Sequence, residues 1–114
     1  MNLENTESQM RKGLLELCIL GIMEKEGEVY PSDILHQLKD ARLVVLEGTL
    51  YPLLTRLKNY GLLDYEWKES TQGPPRKYFR LTAKGQKIYG QLKTSWTELS
   101  ASIDRIIQTP KTTP

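Results

Sequence analysis

Two short stretches of this 114-residue chain carry side chains suited to meeting a polyanion. In the first, Thr49, Tyr51, Thr55, Arg56, Lys58 and Asn59 are interleaved with Leu50, Leu53, Leu54 and Leu57. At about 100° per residue the leucines share one face of a helix. Tyr51, Pro52, Thr55, Arg56, Lys58 and Asn59 share the other, with Thr49 at its edge. Arg and Asn pair bidentately with guanine and adenine edges, and Thr can touch the thymine methyl. In the second stretch, Arg76-Lys77 follows Ser70-Thr71-Gln72-Gly73-Pro74-Pro75, a turn whose glycine and prolines narrow the backbone's choices. Basic residues on such a turn meet phosphates or the minor groove and supply affinity more than sequence information. A solvated helix face and a charged edge strand that resists aggregation are the bland accounts of the same residues.

Other chemistries find little to work with. There is no phosphate-cradling glycine loop, no nucleophile elbow and no carboxylate pair in a pocket-forming context, so an enzyme is not expected. One cysteine, Cys18, cannot close an intramolecular disulfide, and no Cys/His cluster offers a metal site. On an apolar helix Cys18 reads as a buried structural thiol rather than a redox switch, and His36 as a surface residue. No cofactor is implied. The first residues, Met1-Asn2-Leu3-Glu4, lack the basic segment and apolar core of a secretion signal. The apolar runs are too short to span a bilayer. A cytoplasmic protein with no membrane partner is the expectation.

The whole-chain charge of +2 hides an asymmetry. Residues 1–54 balance to −4 and residues 55–114 to +6, and no acidic residue lies between Glu69 and Glu98. Arg76, Lys77, Arg80, Lys84, Lys87 and Lys93 fall in that gap. Such a field suits a polyanion, although a solvated basic face explains it equally well.

The elements that must hold these residues can be read from periodicity. A polar tail, residues 1–9, precedes a helix from Met10 to Lys25 that is apolar almost all round and stops at Gly27. Tyr30-Pro31-Ser32-Asp33 opens a second helix, with Ile34, Leu35, Leu38 and Ala41 on one face. Leu43-Val44-Val45-Leu46 makes an extended link. The third helix begins near Glu47 or Gly48 and ends at Tyr60 and Gly61, with Pro52 within or near its opening turn. Residues 64–68 and 76–81 form a β-hairpin, Tyr65 and Trp67 on its packed side, with a loop too long for a two-residue turn. Thr82 caps a final helix. Length and 39% hydrophobic content fit one compact domain. Its class is α+β, mainly α: a winged helix-turn-helix of three helices and a β-hairpin wing over residues 10–82, then a long helix over 83–108. Residues 109–114 are expected to be a disordered tail.

Gly48-Thr49-Leu50-Tyr51-Pro52-Leu53-Leu54-Thr55-Arg56-Leu57, followed by Gly61-Leu62-Leu63, resembles the recognition-helix signature of PadR transcriptional regulators. Gly73-Pro74-Pro75-Arg76-Lys77-Tyr78-Phe79-Arg80-Leu81-Thr82-Ala83-Lys84-Gly85 resembles that family's wing and exit. The similarity covers roughly residues 10–107. It implies a homodimeric, usually repressing bacterial regulator of double-stranded DNA, released from a palindromic operator by a small-molecule or stress signal. By the same resemblance Thr49, Tyr51, Arg56, Arg76 and Lys77 contact DNA, and Thr55, Lys58 and Asn59 join them on the outer face. Many relatives carry Tyr-Gly-Tyr-Glu where this chain has Tyr30-Pro31-Ser32-Asp33. Their second tyrosine's phosphate contact is therefore in doubt; Ser32 either caps the helix or touches phosphate, and Tyr30 packs.

On the last helix Ile88, Leu92, Trp96, Leu99, Ile103 and Ile106 recur at spacings of 4, 4, 3, 4 and 3, a short heptad-like seam that wants a partner helix. A domain this small has little core left to receive it. That seam, with Leu14 and Cys18 of the first helix, is the expected dimer interface. Trp96 interrupts an otherwise aliphatic row. It either lines a pore that stacks a small planar aromatic effector, as in similar short-form regulators, or fills the interface. A winged-helix module that binds protein instead of DNA is the rival reading.

Overall fold

The computed structural model describes residues 1–71 and 73–108; the expected tail over 109–114 lies outside them. The elements run α1 (Leu3–Glu26), β1 (Glu28–Val29), α2 (Pro31–Asp40), α3 (Glu47–Asn59), β2 (Leu63–Ser70), β3 (Gly73–Leu81) and α4 (Ala83–Ile107). One core joins them. Ile19, Leu20 and Met23 of α1, Ile34 and Leu38 of α2, and Leu50, Leu54 and Leu57 of α3 are fully buried together with Leu63. Val29, Leu62 and Phe79 complete the same cluster. This is the winged helix-turn-helix arrangement with a long C-terminal helix.

The first helix begins at Leu3, so residues 3–9 are helical and not a separate tail. The physical reason is a cap: the Asn2 side chain accepts a hydrogen bond from the Asn5 N–H at 3.1 Å, which satisfies a donor the helix itself leaves open. Ala41, expected on the inward face of α2, is instead exposed as that helix's C-terminal cap. Pro52 stands at the sixth position of α3, one turn past the start. It has no N–H to give Gly48, so one carbonyl near the helix start lacks its intrahelical donor.

Helices α2 and α3 end in the same double hydrogen bond. Leu43 N–H reaches Leu38 C=O and Arg42 N–H reaches Lys39 C=O; Leu62 and Gly61 do the same with Leu57 and Lys58. The geometry needs a positive φ at its centre. Gly61 supplies it at 78°, whereas Arg42 is held at 63°, the one described non-glycine residue in that region.

The sheet has the order β1-β3-β2, all antiparallel. A strand not expected from periodicity, β1, has only two residues and pairs Glu28 with Arg80 and Val29 with Phe79. The hairpin is also tighter than expected. Ser70 pairs with Gly73, so Pro74 and Pro75 belong to the strand rather than to a long loop. Both prolines are exposed, near the hairpin's tip, where strand residues need fewer ladder hydrogen bonds.

The exit into α4 is bolted to the turn after α3. Thr82 N–H donates to Leu62 C=O at 3.0 Å, and the Thr82 hydroxyl donates to Gly61 C=O at 2.6 Å. The same hydroxyl oxygen accepts from Gly85 N–H, capping the helix as expected. Lys84 Nζ donates to Tyr60 C=O at 2.9 Å. Gly85 is buried so closely that a Cβ there would lie 2.0 Å from the Leu62 carbonyl oxygen. Gly85→Ala should therefore lower unfolding stability by about 3 kcal/mol, the upper end of overpacking costs, because the obstructing atom is backbone. A urea midpoint within error of the unaltered chain would contradict this packing.

Candidate nucleic-acid interface

The outer face of α3 forms an open surface made by Tyr51, Pro52, Thr55, Arg56, Asn59 and Tyr60. Its two flanks meet different neighbours. On one side Tyr51 borders a cleft of about 340 Å³ shared with Tyr30, Pro31 and Ser32 at the start of α2 and Trp67, Pro75, Arg76 and Lys77 of the wing. Lys58 belongs to this side, its Nζ 5.2 Å from the Tyr65 ring centre. On the other side Arg56 pairs with Glu16 of α1 at 3.5 Å and lies 5.7 Å from the ring centre of Tyr60. Contact with the Tyr60 hydroxyl, and secondarily the Glu16 carboxylate, raises the Arg56 pKa further. Thr49 also faces α1, in a hollow with Ser8, Arg11 and Lys12.

The expected site residues thus divide. Ser32, Tyr51, Arg76 and Lys77 are brought around one cleft, Thr55 and Asn59 stand on the open face, and Thr49 and Arg56 border α1. Ser32 does not cap α2. The Asp33 carboxylate reaches back to accept from the Tyr30 N–H at 3.1 Å, and Ser32 Oγ instead accepts from Arg76 Nη2 at 2.8 Å.

Strand alternation separates the two wing cations. Lys77 shares a face with Phe79, its Nζ 4.4 Å from the Tyr65 ring centre and 5.2 Å from that of Trp67. Arg76 shares the other face with Tyr78 and Arg80. The Arg76 guanidinium carbon lies 3.5 Å from the Tyr30 ring centre, and the Tyr30 and Tyr78 rings meet at a 36° tilt with centres 3.8 Å apart. The neighbouring Tyr30 hydroxyl pushes the Tyr78 phenol above its ordinary value. Tyr30 packs as expected, but as a platform for a wing cation.

Trp67 corrects another expectation. It is 60% exposed, not packed beneath the hairpin, while Tyr65 is half-buried against Phe79. Beyond Tyr65 the ribbon runs past the helical core, so the alternating face that is buried at its base is open near its tip.

Charge is distributed unevenly along the wing. Near the base Arg80 meets Asp64 at 2.8 Å, Glu28 at 3.4 Å and Glu66 at 3.5 Å, while Lys68, opposite Arg76 in the register, reaches back to Glu28 at 2.5 Å. Two cations of the carboxyl-terminal basic excess are therefore neutralised locally. Among the described residues neither Arg76 nor Lys77 has a carboxylate within salt-bridge distance, so the tip keeps its positive charge. Sequence reasoning missed Glu28 and Tyr30 in these roles because both depend on the β1–β3 register. It missed Arg11 and Lys12, which the expected first helix already contained, because nothing in the sequence places that helix beside the start of α3.

Along α4, Leu92, Trp96, Leu99, Ile103 and Ile106 are all exposed, Ile106 by 82%. Ile88 and Cys18, expected with them, are half-buried and pack on the chain's own core. Burial raises the Cys18 pKa. Leu14 lines two apolar clefts, both including Trp96. No described helix is long and apolar enough to cross a membrane.

Comparison with known proteins points one way. The model of the transcriptional regulator PadR-like family matches residues 19–91. A PadR-like transcription factor from Bacteroides fragilis is 61% identical, with 90% of this chain and 98% of that one covered and a TM-score of 0.75. A PadR-like transcriptional regulator from Bacillus cereus is 38% identical over 90% of this chain and 99% of that one, at a TM-score of 0.79. A PadR family transcriptional regulator from Eggerthella lenta reaches a TM-score of 0.82 at 27% identity, covering 95% and 94%.

The carboxylate network at the wing base sets an acid limit. The Glu28 pKa is held below its ordinary 4.5 mainly by the hydrogen bond from Lys68, so the folded state favours the ionised form. Its contribution is complete above that value and is lost as pH falls through the lower folded value. Melting temperature should accordingly fall below about pH 4.5. Glu28→Gln should lower it at neutral pH and flatten the acid fall; equal slopes for both proteins would show that Glu28 is uninvolved.

Proposed function

The chain belongs to the transcriptional regulator PadR-like family, and from that premise we propose that it is a homodimeric repressor that holds a palindromic operator and is released by a small planar aromatic effector. Membership makes it a DNA-binding transcriptional regulator and not an enzyme. The observation that carries the finer reading is the adjacency of two features. A polar helix face and a wing tip whose cations lack carboxylate partners among the described residues border one cleft, while the far helix leaves an apolar seam exposed.

In this reading Ser32, Arg76 and Lys77 meet phosphates, and Tyr51, Thr55, Lys58 and Asn59 lie along the major groove. Thr49 and Arg56 reach the groove from the α1 side, Arg56 exchanging Glu16 for a base edge. Residues 10–82 form the DNA-binding unit and 83–108 the dimerisation helix, with Leu14, Leu92, Trp96, Leu99, Ile103 and Ile106 against the second copy and Cys18 and Ile88 at its margin. A two-fold pair presents two such surfaces to half-sites about one helical turn apart. In the proposed pair Trp96 stacks a flat ligand beside the two-fold axis.

Duplex selected from a random pool should bind with an affinity that falls steeply with salt. Lys77→Ala should weaken selected and random duplexes alike and lower the salt slope by about one. Arg56→Ala should cost about 1–3 kcal/mol on the selected site and far less on random DNA. Negligible affinity at low salt would favour the protein-interaction module instead. For the effector, Trp96 emission in a Trp67→Phe background should be quenched by planar cationic or phenolic compounds. Absence of quenching by any of them removes the pore.

A further inference from the structure

We propose that Tyr30 is the positioning residue for the wing arginine, fixing Arg76 beside Ser32 so that wing and α2 offer one joint donor pair to a single DNA phosphate. The proposal rests on the DNA-binding reading above and adds to it the residue that organises one phosphate contact.

Four side chains form a column. Lys68 Nζ stands 4.4 Å from the Tyr78 ring centre, the Tyr78 and Tyr30 rings meet at a 36° tilt with centres 3.8 Å apart, and the Arg76 guanidinium covers Tyr30 at 3.5 Å. Its origin is the strand register. Val29 opposes Phe79 in an antiparallel pair, so the chain direction carries Tyr30 toward Tyr78 and Ser32 toward Arg76. The resulting Arg76–Ser32 hydrogen bond of 2.8 Å closes the column at the surface.

The geometry separates what holds Arg76 from what Arg76 can hold. Stacking uses the flat face of the guanidinium, whereas its donors lie in the plane, at the edges. One donor goes to Ser32, and the other N–H groups lie in the same plane, where bidentate contact with a phosphate uses them. Ser32 Oγ accepts from Arg76, which leaves the hydroxyl proton for the same phosphate. An arginine on an exposed wing tip otherwise samples many rotamers, and ordering it costs entropy at the moment of binding. Half-buried Tyr30, backed by Tyr78, orders it beforehand.

The test is anisotropy of a labelled operator duplex against salt for the full chain and for Tyr30→Leu, Tyr30→Phe, Arg76→Ala and the Tyr30→Leu/Arg76→Ala double variant. Leucine fills the site without an aromatic face. Arg76→Ala is expected to weaken binding about tenfold and lower the salt slope by about one. Tyr30→Leu should reproduce most of both effects, the double variant should lose little more than Arg76→Ala, and Tyr30→Phe should bind like the unaltered chain. Unchanged affinity and slope in Tyr30→Leu, or losses that multiply in the double variant, would overturn the positioning role while leaving DNA binding intact. Failure of the unaltered chain to bind duplex at low salt overturns the DNA reading, and this inference with it. A readout independent of variant folding is the Arg76 δ-methylene proton shift in the DNA-free chain. Stacking moves it upfield of free arginine, and coincidence with free arginine refutes the column.

Discussion

The surface opposite the core depends on the pairing of two residues. Glu28 and Val29 join β3 at Arg80 and Phe79, and this short ladder ties the start of α2 to the wing. Val29 is buried in the core, so the register is fixed from inside by the hydrophobic effect. Everything beyond follows geometrically. Glu28 lands between Lys68 and Arg80, Tyr30 on Tyr78, and Ser32 against Arg76. A slip of one residue would put Glu28 on the core face and send Val29 outward, which is why so brief a strand can hold its alignment.

A second constraint sets the direction of α4. The Leu62 carbonyl accepts from Thr82 and lies where a Cβ on residue 85 would otherwise sit, so the helix leaves the domain at one angle. Its first turns pack Ile88 and Tyr89 on the core, and Tyr89 lies against Gly21 of α1. Farther along, the molecule reaches a 67 Å extent and the helix outruns the core that could cover it. The uncovered row from Leu92 to Ile106 is then a consequence of length and exit angle together. Single exposed apolar residues are ordinary on protein surfaces, but a contiguous stripe at helical spacing marks a place for another surface.

Much of this was legible in the residues. Leu50, Leu54 and Leu57 gave the buried face of α3, Gly61 its end, and Thr82 the start of α4, because each depends on local spacing or capping. Where tertiary contacts decide, the sequence was silent. Nothing in Glu28-Val29 marks a strand, since two residues carry no periodicity. Alternation turns Trp67 inward, but it does not say how far along a ribbon the core extends. At the start of α1 one Asn cap outweighs a polar composition. On the interface the residue types were visible, but their division was not. Arg56 turned out to border α1 and Glu16, while Tyr51 joined the wing, a split that depends on how α3 sits between its neighbours.

The central claim is that the α3 face and wing tip meet duplex DNA twice, through a symmetric pair of chains. Hydroxyl-radical footprinting on a selected operator tests it most directly. Two protected patches on one side of the duplex, related by the operator's dyad and about one helical turn apart, are the expected result. Protection confined to a single patch, or none at saturating protein, would contradict the account.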